Sequence, residues 1–157
     1  MVWGVLGACF AGAALWSDSG NAIAFPAGYR QWTHVKSVLI GPASAVFASE
    51  GGFHHIYAND RAFAGLQSGR FADGSVLVYD LIASEEKDGI TTEGARRRVD
   101  MMVKDRVAYP DTGGWGFERF VGDDRSHGTL SQDQKHACFA CHSGRKDHDL
   151  VFSQYRK

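Results

Sequence analysis

The chain of 157 residues is long enough for one domain with a core built around a cofactor, and it leaves no room for a second domain. Its 17 basic and 18 acidic residues give a net charge of −1, which argues against the strongly basic proteins that bind nucleic acid. Its 19 glycines against 3 prolines favour a turn-rich domain with strands over a bundle of four helices.

An apolar segment rich in alanine and glycine opens the sequence and spans residues 1–24. It ends in an Ala-x-Ala site, formed by Ala22 and Ala24 before Phe25, which is typical of signal-peptide cleavage. We therefore expect an exported, periplasmic protein whose mature domain covers residues 25–157. Beyond this segment, the sequence contains no apolar run long enough to span a bilayer.

The first half of the mature sequence predicts three strands and one helix. A loose alternation of apolar and polar residues over 33–40 predicts the first strand, and a glycine-bounded run over 52–57 predicts the second. A short helix follows, with Asn59 as a good N-terminal cap and Gly69 at its end. The β-branched and aromatic run over 75–82 is the clearest strand in the sequence.

The next segment, residues 85–94, is polar and flexible in composition, so we expect it to be a connection. Residues 96–104 after it predict another strand. Alternate residues of a strand share a face, so Arg98, Asp100 and Met102 should point the same way.

The C-terminal third of the chain combines one more strand with a helix. Glycines and aromatic residues over 113–121 predict the strand. Ser131, followed three residues later by Gln134, forms a capping-box pattern that begins the helix. The elements together predict an α+β fold, a predominantly antiparallel sheet with a few helices, in which the C-terminal helix carries the chain's most distinctive motif.

That motif is Cys-x-x-Cys-His, formed by Cys138, Cys141 and His142, and its spacing is typical of c-type haem attachment. Positions i, i+3 and i+4 of a helix share one face, so both thiols can reach the two vinyl groups of a haem while the imidazole faces the iron. The motif therefore predicts one covalent haem c, with two thioether anchors and His142 as the axial iron ligand.

Two other chemistries use similar cysteine spacing. A structural zinc site would need further ligands, for which His127, His136 and His148 are the candidates. A thioredoxin-like redox pair would lie at an early strand-to-helix turn, whereas this pair lies close to the end of the chain. Both alternatives are weaker than haem attachment.

The sequence resembles the cytochrome P-460 family, which includes the cytochromes c′-beta. The matching stretches are Tyr29-Arg30-Gln31-Trp32, Ile56-Tyr57, residues 69–81, Val103-Lys104-Asp105, Gly114-Trp115-Gly116-Phe117 and Asp149-Leu150-Val151-Phe152. The resemblance implies a sheet-rich fold, usually a homodimer, with one five-coordinate haem. Its sixth iron position is open to small nitrogen compounds such as hydroxylamine and nitric oxide, or to carbon monoxide.

The sequence departs from the family's enzymes at two positions. Tyr79 stands where those enzymes have a lysine bonded to the porphyrin, so it either packs against the haem or forms a different cross-link through an oxidised phenoxyl. Asp100 stands where they have a distal glutamate that handles protons. Asp100 is therefore either a distal proton acceptor or an ordinary strand carboxylate paired with Arg98 or Arg96.

The resemblance also marks two neighbouring residues for the distal side of the haem. His54 matches a basic position of the enzymes, and Phe53 could instead cap the site as phenylalanines do in the c′-beta branch. Neighbours on a strand point to opposite faces, so we expect one of the two to face the haem.

Three functions follow from these residues. One is a redox enzyme that oxidises hydroxylamine, with Asp100 accepting protons and a redox partner cytochrome accepting electrons. Another is a non-catalytic binder of nitric oxide, favoured by Tyr79 and Phe53. The third is a low-spin electron-transfer cytochrome whose sixth ligand is Met102 or His54, with Met101 and His55 as further candidates.

Overall fold

The computed structural model describes residues 22–156, so most of the expected signal peptide lies outside the described residues. This part of the chain forms one five-stranded antiparallel sheet with the order β1-β2-β3-β4-β5, in which each strand pairs with its neighbour in sequence. The strands are β1 (Thr33–Ile40), β2 (Gly52–Ala58), β3 (Val76–Lys87), β4 (Ile90–Lys104) and β5 (Trp115–Val121). The predicted α+β class is confirmed.

The helices are α1 (Phe47–Glu50), α2 (Asp60–Ser68) and α3 (Gln132–His142), with 3-10 turns at Tyr29–Gln31, Pro110–Thr112 and Ser143–His148. The predicted caps are present. The Asn59 side chain accepts a hydrogen bond from the first turn of α2, and Gly69 ends that helix at a φ of 75°. Ser131 and Gln134 form a reciprocal capping box at the start of α3. In the described part of the chain, no helix is long and apolar enough to cross a membrane.

The long hairpin of β3 and β4 corrects one expectation. Residues 85–94 do not form a loose connection, because the strands continue to pair as far as Lys87 and Ile90. Asp88 and Gly89, at φ values of 55° and 77°, make the two-residue turn. Both faces of the hairpin's outer part are largely exposed, so its sequence shows no apolar alternation that would indicate strands.

The sheet buries residues on both faces. One face packs against α2, α3 and the C-terminal segment, and its core includes Ala58, Leu77, Met102, Trp115 and Phe117. The opposite face has a second core of Tyr29, Val78, Val99, Met101 and Phe120. This division follows the two-residue period of the strands.

The opposite face also contains a buried carboxylate. Asp80 is fully buried and accepts hydrogen bonds from Tyr29 (2.5 Å), Arg30 (2.8 Å) and Arg96 (3.1 Å). Burial, together with the hydrogen bond to Asp80, raises the pKa of Tyr29 to about 12. Arg96 therefore pairs with Asp80 and with Asp123, not with Asp100.

Candidate functional site

A cavity of about 520 Å³ lies between the sheet and the C-terminal part of the chain. Helix α3 contributes Cys138, Cys141 and His142 to its lining, while β2, β3 and β4 contribute His54, Tyr79 and Asp100. The fold thus brings to one cavity the three residues of the cysteine motif together with three of the four distal candidates, all but Phe53. Its volume lies within the roughly 300–1,000 Å³ of pockets that bury organic cofactors and ligands.

The cysteines reach the cavity because the capping box sets the residue at which α3 begins. The i, i+3, i+4 spacing then puts both thiols and His142 on the cavity side. Cys138 is half-buried and packs against the core, and Cys141 is exposed. Burial and the nearby charge of Asp100 raise the pKa of the Cys138 thiol.

His142 is oriented by the segment that follows α3. Its ring lies between Phe117 and Phe152, with centroid distances of 5.3 and 5.0 Å. Its Nδ1–H donates to the Leu150 carbonyl at 2.7 Å, which leaves Nε2 available toward the cavity. Burial lowers the pKa of His142, and the neutral imidazole is the form that binds a metal.

A neutral hydrogen-bonded pair lies on the sheet side of the cavity. The Tyr79 hydroxyl donates to His54 Nδ1, and His54 Nε2–H donates to the Glu50 carbonyl at 2.5 Å. The Tyr79 hydroxyl is also within donor distance of Glu50 Oε2, at 3.1 Å, so its one proton is shared between His54 and the Glu50 carboxylate. Burial lowers the pKa of His54, and burial followed by the charge of Glu50 raises that of Tyr79. Both side chains are therefore neutral near pH 7.

Asp100 belongs to a charged network on the same wall. Arg119 binds both of its oxygens, at 2.5 and 3.0 Å, and Arg98 Nε donates to Oδ2 at 2.8 Å. Arg98 also binds Glu50 at 2.6 Å. The carboxylate thus faces the cavity and is paired at the same time, with Arg98 and Arg119 as partners.

Phe53 does not line the cavity. Its ring stacks against His55 at 6.0 Å on the opposite side of β2, so His54 is the one of the two neighbours that faces inward. His55 is engaged by Ser37 and Glu93. An apolar distal cap made by Phe53 is therefore absent from the described cavity wall.

The two methionines differ in surroundings. Met102 lines the cavity and belongs to the core on that face of the sheet. Met101 also touches the cavity wall, but it is buried in the core of the opposite face. Of the two methionines, Met102 is therefore the candidate for an iron ligand, because its side chain lies on the cavity face of the sheet.

Sequence reasoning missed several charged residues of the wall, among them Glu50 and Arg119. Arg119 lies directly opposite Asp100 in the pairing of β4 and β5, and its alternation with Phe117 along β5 could have indicated that it faces the cavity. Glu50 comes from α1, a single turn before β2. Nothing in its local sequence indicates that it reaches Tyr79 and Arg98.

The zinc alternative has no ligand set in the part of the chain described. Across residues 22–156, no group of three or more His, Cys, Asp or Glu side chains is arranged to hold a metal ion. His127 instead lies 3.2 Å from Asp124, and His148 lies 3.2 Å from Asp147.

The donor set of the cavity fits a haem. Two thiols lie on one helix face beside a neutral imidazole, and that imidazole's second nitrogen is held by a backbone carbonyl, the usual arrangement for a metal-binding histidine. The cavity wall is completed by apolar side chains of Ile56, Leu77 and Phe117.

Comparison with known proteins agrees with this chemistry. A search among curated proteins finds no match. The Cytochrome P460 family profile matches residues 26–153, which is most of the chain and includes the cavity residues of the sheet and of α3. The chain therefore belongs to the cytochrome P460 family and is a haem protein.

Proposed function

We propose that the protein carries one covalent haem c, anchored by thioether bonds to Cys138 and Cys141 and ligated by His142, with an open sixth position on the iron. The observation that carries this proposal is the joint lining of one cavity by two thiols and an imidazole whose Nδ1 is already engaged. Nε2 is then the nitrogen that binds iron.

The open position is proposed because His54, the other histidine that lines the described cavity wall, is already engaged. Both nitrogens of His54 are engaged, one by Tyr79 and the other by the Glu50 carbonyl, so ligation by His54 would break one of these bonds. A haem with such a position binds small ligands and exchanges electrons with them. Hydroxylamine and nitric oxide are the proposed ligands, and carbon monoxide is a convenient probe.

The polar wall favours hydroxylamine as a substrate over simple gas binding. Arg98 and Arg119 bring guanidinium donors to the cavity, and the Tyr79 oxygen can accept a hydrogen bond while its proton is directed to His54 or Glu50. Oxidation of hydroxylamine releases protons, for which Asp100 and Glu50 are the carboxylate acceptors. Glu50 is one-third exposed, so it connects this wall to solvent.

A second candidate is a low-spin electron-transfer cytochrome with Met102 as the sixth ligand. The observation that favours it is that Met102 lines the same cavity as His142. Methionine and histidine together are a common axial pair in electron-transfer haem proteins.

Hydroxylamine turnover by the purified holoprotein, with an external electron acceptor, tests the enzyme. We expect turnover in the wild type and a fall of about tenfold or more in Asp100→Asn, because one proton acceptor is lost. Glu93→Gln is the matched control, since that carboxylate binds His55 on the other side of the sheet. Nitric oxide binding without any turnover would identify a binder instead. A spectrum that neither compound changes would contradict both roles.

Export and assembly complete the proposal. We infer a periplasmic protein, cleaved before Phe25, that acts as a homodimer and passes electrons to a redox partner cytochrome. Phe25 packs edge-on against Tyr29 and Phe120, at 5.9 and 5.1 Å, so the proposed mature chain begins at a residue that anchors it to the sheet.

A further inference from the structure

An ion pair between a buried lysine and a partly exposed aspartate lies behind the proximal histidine. Lys104, at the end of β4, is only 2% exposed, and its ammonium donates to Asp149 Oδ1 at 2.6 Å and to the Gly113 carbonyl at 2.9 Å. It also lies 4.9 Å from the centre of the Trp115 ring. Burying an ammonium is costly, so a lysine at this position needs partners of this kind. Neither Lys104 nor Asp149 lines the cavity.

The ion pair fixes an unfavourable turn of the backbone. Asp149 and Leu150 are consecutive non-glycine residues in the left-handed region, at φ values of 50° and 67°. This region is sterically unfavourable for a residue with a side chain, and leucine rarely adopts it. Such a turn persists only where its surroundings hold it.

Further hydrogen bonds hold the same turn. The Trp115 indole donates to the Asp149 carbonyl at 2.9 Å, and the Phe71 amide donates to the Asp149 carboxylate at 3.3 Å. The Leu150 amide donates to the Arg145 carbonyl at 2.8 Å. The turn is thereby tied to β4, β5 and the segment after α2, and not only to its own chain neighbours.

The Asp149–Leu150 turn orients His142. The left-handed conformation points the Leu150 carbonyl at His142 Nδ1, 2.7 Å away. The two flanking aromatic rings restrict the tilt of the imidazole. The hydrogen bond to the Leu150 carbonyl selects the tautomer with the proton on Nδ1 and makes the Nε2 lone pair a stronger electron donor to a metal. Lys104 also neutralises the charge of the Asp149 carboxylate. The Leu150 carbonyl that binds the His142 ring therefore lies beside an ion pair and not beside an unpaired negative charge.

We propose that the Lys104–Asp149 ion pair is a positioning device for the proximal ligand, which holds the Asp149–Leu150 turn so that its carbonyl sets the orientation and donor strength of His142. This inference rests on the proposed role of His142 as the iron ligand. Lys104 and Asp149 are positioning residues, since they act on the iron only through the turn and the imidazole.

The test is the iron–histidine stretching band in the resonance Raman spectrum of the ferrous holoprotein, together with its midpoint potential. We expect Lys104→Met and Asp149→Asn to lower the frequency of the band and raise the potential, because a weaker hydrogen bond to Nδ1 makes the imidazole a poorer donor. Trp115→Phe, which removes one hydrogen bond to the turn, should shift both in the same directions by less.

The matched control is Arg96→Met, which breaks the buried pair with Asp80 on the opposite face of the sheet. An unchanged band in that variant, against a shifted band in the other three, supports positioning. Equal bands in all variants, or an equal shift in Arg96→Met, would overturn it. If Lys104→Met folds poorly, Asp149→Asn carries the test, because asparagine tolerates the left-handed region. A wild type without the band would instead contradict ligation by His142.

Discussion

His54 and Tyr79 form the neutral part of the cavity wall beside the charged network around Asp100. Tyr79 and His54 are hydrogen-bonded to each other through His54 Nδ1, and the Glu50 carbonyl accepts a hydrogen bond from His54 Nε2–H. The Nε2–H tautomer of His54 follows from this pattern, since a backbone carbonyl can only accept. The hydrogen bonds thus determine which His54 nitrogen carries the proton.

The lowered pKa of His54 predicts how stability depends on pH. Burial is the main cause, and it outweighs the opposing hydrogen bond and charge of Glu50, while Arg98 and Arg97 lower the pKa further. As pH falls below the ordinary value of 6.5, the unfolded chain takes up a proton at His54 that the folded chain resists. We expect the free energy of unfolding to decrease in this window, measured by urea unfolding of the holoprotein.

A variant separates His54 from other groups in this experiment. His54→Gln keeps a donor and an acceptor but cannot titrate, so its stability should fall less steeply with pH than that of the wild type. His127→Gln, at an exposed ring, should keep the wild-type slope. Identical slopes in all three proteins would show that His54 does not contribute.

Strand alternation explains why several site residues could be predicted one by one. Tyr79 and Asp100 lie opposite each other in the pairing of β3 and β4, and both face the cavity, as does His54. The pairing of Asp100 with Arg119 could not be predicted, because it depends on the register between β4 and β5. That register is set by the whole sheet and not by either strand alone.

At the scale of elements, the hairpin of β3 and β4 depends on its two-residue turn. Gly89 is at a φ of 77°, a backbone conformation that is strained for any residue with a side chain. A Cβ added there would meet no neighbour within 4 Å. A substitution there therefore reports backbone conformation and not packing. The preceding Asp88 is of a type that tolerates the same region.

We expect Gly89→Ala to lower the free energy of unfolding by about 1 kcal/mol, the lower end of the range for an L-residue forced into the left-handed region. Gly41→Ala is the matched control, because it also meets no neighbour within 4 Å and its φ is not in that region. Its effect should stay within about 0.5 kcal/mol. Chemical denaturation of both variants gives the comparison, and equal effects would argue against a strained turn.

Local signals predicted most elements well. The caps at Asn59, Gly69 and Ser131 gave the ends of α2 and the start of α3, because capping depends on residues within one turn. The outer hairpin was missed because its strands are polar on both faces. The Asp-Gly pair at positions 88 and 89 was the available signal for it, and it is a strong one for a hairpin turn.

At the scale of the whole molecule, a five-stranded meander gathers residues from across the chain around one cavity. The cysteine motif predicted the cofactor without knowledge of the fold, since its spacing alone carries the chemistry. The turn behind His142 could not be predicted in this way. It depends on Lys104, Trp115 and Asp149, which meet only when the C-terminal segment crosses the ends of β4 and β5.

The central claim is an open iron site opposite His142, and the absorption spectrum of the ferrous holoprotein before and after carbon monoxide tests it most directly. We expect a five-coordinate high-spin spectrum that changes on addition of the gas, because His142 is available through Nε2 whereas His54 has both nitrogens engaged. A six-coordinate low-spin spectrum that carbon monoxide leaves unchanged would contradict the account and identify an electron carrier, with Met102 as the first residue to replace.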